Sequence, residues 1–596
     1  MQSLESGDDA PLIRGFSRHF RKLLETIAQS GGNHAHSYYS VYRVGSEGEF
    51  MASMDRRSFL RTSAVVAAAL GGAAALASCA PQTASRTVLR VGSTTDIDSL
   101  NPFTAASTQS DDMLQLVYDR LMSYDAQLKI GPSLATDVQV SDGGKTFTYT
   151  LRSGVKWQDG KDFSADDVVF TFLMVRDNDY GTFGAYVKDL TDAVKVGDNQ
   201  VRLSYSAPQT LEPGVIMPIA PKHLWEGIAK SDLPKFANDK PVGTGPFNFV
   251  SWEKGSVTTV ARNDSWWGSK PAAEKVTWTK FGSDDVVTQA LRSGDIDIVP
   301  EVPPTIYSGL QNAADVKTTA MEAFSFHMIG FNCSAAPGSK GNPILRDQVV
   351  RQALSCAVDR RQLVELALAG YGEPGADLLP PAFGDFHYVP EPDAVLDNNP
   401  AKANDLLDKA GYTARTGDGT RKSKDGAPLE FRVLAIADTT VDMKAADLFV
   451  TAAKAVGITL KLSSTDADSM SATVYNADSP DWDIMVWGWD SSFYDPSYLL
   501  GIATTDQIGG NNDTFWTDPR YDELYAQQST TMDHAARVKL VQEMQAIHYA
   551  ACPYIVMWYQ KKLTGTRSNT WTGWQPMDGG MILNFPRVNY LDVKPV

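Results

Sequence analysis

From residue 88 to the C-terminus the chain alternates between two hydrophobic periods. Val88-Leu89-Arg90-Val91 has the two-residue alternation of a strand, and Asp295-Ile296-Asp297-Ile298-Val299 repeats it as a half-exposed strand. Between such runs lie helical segments with readable ends. Ser164-Ala165-Asp166-Asp167 opens one: Ser164 can cap it, the aspartates complement the positive end of the helix dipole, and Val168 to Phe172 supply buried contacts. Ser283-Asp284-Asp285 opens another, which stops before Gly294. Asn399-Pro400 opens a third, with Leu406 and Leu407 facing inward and Gly411 as its stop. Interleaved strands and helices of this kind predict an α/β protein built on mixed sheets.

Upstream of residue 88 the pattern changes. Ala64 to Leu76 is apolar and uncharged, yet too short for an easy membrane span of about 20 residues. Arg56-Arg57-Ser58-Phe59-Leu60 precedes it and Leu76-Ala77-Ser78-Cys79 follows it. A basic pair, a short apolar run and small residues before one cysteine make residues 54–79 an export signal. Its front resembles a twin-arginine signal. Its back resembles a bacterial lipoprotein box, in which Cys79 takes the lipid; stable anchoring needs two or more acyl chains. Such a signal belongs at the start of translation. Met51 or Met54 is therefore the expected start, residues 1–53 a disordered upstream extension, and the small polar residues 80–87 a tether.

Export leaves 518 residues, more than one ordinary core accommodates, so two or three domains are expected. The whole chain has 54 basic and 71 acidic residues; removing the 8 and 7 that precede Cys79 leaves 46 against 64, a net charge of −18. That balance, without a clustered basic stretch, argues against a nucleic-acid partner. The remaining cysteines, Cys333, Cys356 and Cys552, are odd in number and form no CxxC pair, which suggests small buried side chains rather than a zinc site or a disulfide framework.

Enzyme signatures are scarce. No HExxH, GxSxG or GxxxxGK[ST] motif occurs. His223, His327, His387, His534 and His548 are not paired at helical spacing, so each reads as a surface or satisfied core histidine, and no metal or cofactor is expected. Gly243-Thr244-Gly245-Pro246-Phe247 lacks the lysine of a phosphate loop and reads as a rigid turn. Carboxylates are plentiful, and a pair suited to glycoside hydrolysis stays open at this level.

Several ordered segments carry a family resemblance. They include Ser99-Leu100-Asn101-Pro102-Phe103, Tyr118-Asp119-Arg120-Leu121, the long run from Ser141 to Phe172, Pro241 to Phe247, Ala290 to Val299, Leu345 to Ala367, Pro400 to Tyr412 and Tyr494-Asp495-Pro496-Ser497. Together they resemble family 5 of the extracellular solute-binding proteins, the oligopeptide-, dipeptide- and nickel-binding group of ATP-driven (ABC) importers. The resemblance implies a two-lobed periplasmic-binding-protein-like fold with a hinge. The first lobe would take 88–322 plus 556–596, with an inserted subdomain at about 130–215; the second would take 323–555. It also implies a monomer on the outer face of the cytoplasmic membrane that captures a solute, most readily a peptide, by hinge closure and delivers it to a permease and ATPase complex without covalent chemistry. An envelope hydrolase, or a sensor on the same fold, is the alternative.

Peptide binders of this group hold ligand through main-chain bonds from both lobes. The matching second-lobe segment is Trp487-Gly488-Trp489-Asp490-Ser491-Ser492-Phe493, with backbone contacts at Gly488 and Asp490; the first-lobe segment is Ala106-Ser107-Thr108. Trp487 and Trp489 share a strand face and divide between ligand contact and core. Ser492 and Phe493 complete the candidate set, but Ser492 stands where the group carries the aspartate that meets a ligand ammonium. Asp490, two residues earlier, is the candidate substitute. Asp495-Pro496 reads as a structural turn.

Overall fold

The computed structural model describes residues 87–596 apart from 179, 492–493 and 581–585. The export signal, Cys79, most of the tether, Ser492 and Phe493 lie outside the described residues.

One strand organises the molecule. Tyr554–Arg567 runs for 14 residues, and its partners change midway. Its first part pairs with Ser325–Phe331 and Gly372–Pro374; from Lys561 onward it pairs with Val316–Glu322 and Ile298–Val299. The chain also passes between the two halves through Ala323 and Phe324, which join Val316–Glu322 to Ser325–Phe331. Two strand crossings therefore lie side by side. Along Tyr554–Arg567 the pairing partner changes between Gln560 and Lys561.

On one side of the crossings Val88–Ser93 lies parallel to Lys275–Lys280, which continues antiparallel into Val257–Arg262 and Phe247–Glu253. On the other side Thr459–Thr465, Glu430–Ile436 and Ile484–Asp490 form a parallel set that joins Ser325–Phe331 antiparallel. Helices cover both faces of this second sheet and give it two apolar cores, one around Leu354, Phe431 and Phe449, the other around Met485, Leu500 and Met544. The result is α/β with mixed sheets, as the sequence pattern predicts.

An inserted subdomain carries its own antiparallel sheet of four strands, Ala135–Ser141, Thr146–Leu151, Gln200–Tyr205 and Leu190–Gly197 in spatial order. Helix Ala165–Asn178 packs on it around Tyr149, Trp157 and Phe172. The Asn101-Pro102-Phe103 segment ties this unit to the first lobe. Asn101 donates to the Tyr180 hydroxyl and the Phe236 carbonyl, and Phe103 lies edge-on to Trp225.

Local signals hold where they depend only on neighbours. Ser283 accepts from the N–H of Val286, and helix Asp284–Ser293 ends on Gly294 at φ 85°. Asn399 accepts from Lys402 N–H at the start of Pro400–Lys409. At Ala165–Asn178 the reach is reversed: the Asp167 carboxylate accepts from the N–H and hydroxyl of Ser164, the other half of a capping box. Gly243 is needed for close approach, since a β-carbon there would stand 1.8 Å from the Val117 carbonyl oxygen. Residues 295–299 differ from the expected half-exposed strand. Only Ile298–Val299 is strand, and Asp297 turns inward, 1% exposed, because Arg90 meets it with its N–H and both arms of its guanidinium.

Asp495 is structural. It accepts from Ser497 N–H and receives both guanidinium arms of Arg537 at 2.7 and 2.9 Å, in a pair only 8% and 9% exposed. Removing one partner strands a buried charge, so Arg537→Ala should cost about 3–5 kcal/mol. We expect a marked fall in melting temperature, with much of it restored by combining Arg537→Met with Asp495→Asn.

Candidate ligand cleft

The strand Ile484–Asp490 carries the second-lobe candidates. Its parallel pairing with Glu430–Ile436 ends at Ala435–Val486, because the neighbour turns away into helix Thr440–Ala455. Among the described residues, Trp487 to Asp490 thus keep one edge without a strand partner, just past the carboxyl end of a parallel strand. Ligands of open α/β sheets bind in such crevices.

Gly488 is spaced by packing. It pairs with His327, and a β-carbon on it would stand 2.9 Å from the Phe326 carbonyl oxygen and 3.0 Å from the His327 ring. His327 lies 2.7 Å from Asp442 through Nδ1 and stacks on Trp558 at 5.4 Å. Burial, the largest single influence, lowers its pKa, but Asp442 together with Asp490 and Gln560 outweighs it, so the net shift is upward. The other four histidines among the described residues are likewise hydrogen-bonded, to Asp159, Leu379, Asp385 and Asp377.

Trp487 and Trp489 do share a face, and it points into the second-lobe core. Both indoles donate to Asp513, at 3.0 and 3.1 Å, and Tyr554 donates to its other oxygen. Burial raises the Asp513 carboxyl to about 7. Trp487 is 2% exposed and offers no surface to a ligand; Trp489 is half-buried. Cys356 and Cys552 are buried, and all three described cysteines are free thiols.

Asp490 is different. It is exposed at the strand end, yet both lobes crowd around it. That enclosure raises its carboxyl to about 6, while Lys562 and His327 pull the other way and Glu301 adds to the rise. Lys562 follows the crossing by two residues and pairs with Glu301 at 2.9 Å. Its charge also acts on Asp112, a buried carboxyl of helix Thr108–Val117 raised well above its ordinary range by burial. Across the cleft, Tyr124 of the first lobe meets Tyr494 of the second edge-on at 5.0 Å, and Tyr494 continues onto Phe324 and Phe383. The lobes are therefore in contact.

The first-lobe candidates are committed locally. The Asp98 carboxylate accepts from the N–H groups of Ala106 and Ser107, and Ser107 caps helix Thr108–Val117. Thr108 is exposed. The cleft groups Lys562, Glu301, Tyr124 and Tyr494 escape sequence reading. Only the Lys561-Lys562 doublet inside an apolar strand offered a signal. Among the described residues no group of His, Cys, Asp or Glu has the arrangement of a metal site.

Two lobes, a double strand crossing and a charged cleft between them define a hinged binding protein. The chain belongs to the bacterial extracellular solute-binding proteins, family 5, whose model matches residues 129–511. It is 29% identical over 481 residues to the oligopeptide-binding protein AppA of Bacillus subtilis, covering 79% of this chain and 86% of that one. It is 28% identical over 526 residues to di/tripeptide-binding protein 1 of Pseudomonas aeruginosa, covering 83% and 92%. The solved structure of Bacillus subtilis AppA in complex with a nonapeptide superposes with a TM-score of 0.69 at 25% identity, covering 86% of this chain and 99% of that one. The fold is also shared, at a TM-score of 0.75 and 20% identity, with a periplasmic oligopeptide-binding protein of Thermotoga maritima, over 86% of this chain and 99% of that one.

Since Gly488 makes room for the His327 ring, Gly488→Val should displace that ring from Asp442. Overpacking of this kind costs about 1–3 kcal/mol. We expect a lower melting temperature and an altered His327 imidazole signal in NMR spectra.

Proposed function

We propose that the protein is the substrate-binding subunit of an ABC importer: exported, held on the membrane by lipid on Cys79, and closing its two lobes on a peptide that it presents to the permease. The observation that carries this reading is the strand edge at Trp487–Asp490, which has no strand partner among the described residues and ends in a carboxylate inside the cleft. Main-chain groups along that edge would bind any peptide backbone. Asp490 would meet the ligand ammonium in place of the residue at 492, and Lys562 with Glu301 would hold the carboxylate side of the hinge. Two relatives named for oligopeptide and di/tripeptide binding support peptide over other solutes. The protein acts as a monomer, and its turnover is conformational.

The test is native mass spectrometry of residues 80–596 purified from the natural host, followed by release of the bound ligand. A ladder of peptide masses is expected; a single non-peptide mass would sink the peptide reading. Replacing Cys79 with serine should move the protein from the membrane fraction to the soluble fraction.

Asp490 sets a pH dependence whose sign is fixed. Its folded pKa is raised, to about 6, so in the free protein its contribution to stability is fully present below the unfolded carboxylate value near 4 and is lost as pH rises through 6. Ammonium binding needs the ionised form. Peptide affinity should therefore fall as pH drops below about 6. In Asp490→Asn, affinity at pH 7 should be about 10-fold lower or worse, and that fall should vanish in calorimetric titrations.

A further inference from the structure

The strand that carries the ligand edge is held unevenly. One side of Trp487–Asp490 pairs with Ser325–Met328, whereas on the other the parallel pairing stops at Val486. Gly488 brings no side chain, and Asp490 is exposed at the strand end. The lateral position of this end therefore falls to Trp487 and Trp489. Both indoles donate to the same oxygen of Asp513, at 3.0 and 3.1 Å. An indole N–H can only donate, so each ring needs an acceptor, and one carboxylate supplies both.

Asp513 is itself fixed from elsewhere. It is 0% exposed, and its loop is pinned on both sides. The Asn512 amide donates to the Thr504 and Trp516 carbonyls at 3.0 and 2.9 Å, and the Thr514 carbonyl accepts from Cys333 N–H at 2.8 Å. The other Asp513 oxygen accepts from the hydroxyl of Tyr554, the first residue of the strand that crosses between the lobes. Hydrogen bonds to an ionised group are the strong ones. Fully buried, the carboxylate touches no ligand, yet it joins the ligand strand to the root of the hinge strand.

We infer that Asp513 is the positioning residue of the ligand edge: by holding both indoles it sets where the main-chain groups of Trp487–Asp490 and the Asp490 carboxylate stand, and it acts on ligand only through that strand. This rests on the reading of Trp487–Asp490 as the edge that meets a peptide. Main-chain recognition is sensitive to such placement. A displaced strand end offers every bond along it at a poorer distance and angle.

The test compares variants on either side of the same carboxylate. Wild type is offered a pool of random tripeptides to hexapeptides, retained peptides are identified by mass spectrometry, and one of them is titrated calorimetrically. Asp513→Ala should bind it about 10-fold more weakly or worse, and Asp513→Asn, which keeps an oxygen for the indoles, should retain part of the affinity. Trp487→Phe, at a side chain that offers no surface to a ligand, should lose about 3- to 10-fold. Tyr554→Phe takes a bond from the same carboxylate on the hinge side, so its melting temperature should fall while affinity stays within about 2-fold. A purely structural Asp513 predicts otherwise. Trp487→Phe and Tyr554→Phe would then both melt lower with affinity unmoved, or both lose affinity alike, and either result overturns the inference. Should Asp513→Ala not fold, that pair carries the test. If wild type retains no peptide, the peptide reading fails, and amide hydrogen exchange decides the positioning role. Faster exchange at residues 487–490 in Trp487→Phe but not in Tyr554→Phe upholds it; equal exchange in the two overturns it.

Discussion

A strand can twist and bend, but its hydrogen-bonded partners on either side cannot slide past it without breaking the ladder. Tyr554–Arg567 belongs to both lobes, so it fixes how they are allowed to move. The second crossing, through Ala323 and Phe324, lies next to it and leaves only a bend about these two points. Successive side chains on a strand point to opposite faces. Lys561 therefore turns one way, onto Glu322 at 2.7 Å and Glu373 at 3.3 Å, and Lys562 the other way, onto Glu301. Glu322 precedes the crossing and Glu373 lies on a strand paired beyond it, so one ammonium spans the hinge.

The distribution of apolar burial fits that constraint. The large cores lie within the lobes and the inserted subdomain, on the faces of their own sheets. Contacts between lobes include Tyr124 on Tyr494, Tyr307 on Tyr371, Leu128 on the second-lobe core, and Met532 against Gly144. An aromatic pair adds about 0.5–1.5 kcal/mol beyond its buried area. Rigid lobes joined by a thin apolar contact can separate at small cost, and a ligand that touches both supplies the difference between states.

How much of this was legible depended on the range of the interaction. The caps at Ser283 and Asn399 and the stop at Gly294 need only their own helix, and they read correctly. Asp297 did not, because its partner Arg90 lies 207 residues away in the chain. The alternation of Trp487 and Trp489 was readable, but Asp513, which takes both indoles into the core, gave no local sign. The cleft is the extreme case. Tyr124, Glu301, the Asp490–Tyr494 stretch and Lys562 come from four segments distant in the chain, and the crossing strands help gather them. The segment around 488 was recognisable by resemblance, whereas the reason for its glycine, the ring of His327, needed coordinates.

Charge links the hinge to the ligand. The net charge of −17 over the whole sequence says little about the cleft. Asp490 is another matter: among the described residues it has no ion-pair partner at bonding distance, and the enclosure that raises it to about 6 marks an unfavourable ionised state in the empty cleft. Such a penalty is a property of the free protein alone. On the proposed reading a cationic group brought by the ligand would remove it, and the gain would be largest with water excluded around the pair. Because Lys562 stands on the strand that both lobes share, the same closure that seals Asp490 also fixes the charge facing it. On the proposed peptide reading, ligand charge and hinge angle would be coupled through one strand, because the cleft floor is built from the crossing itself.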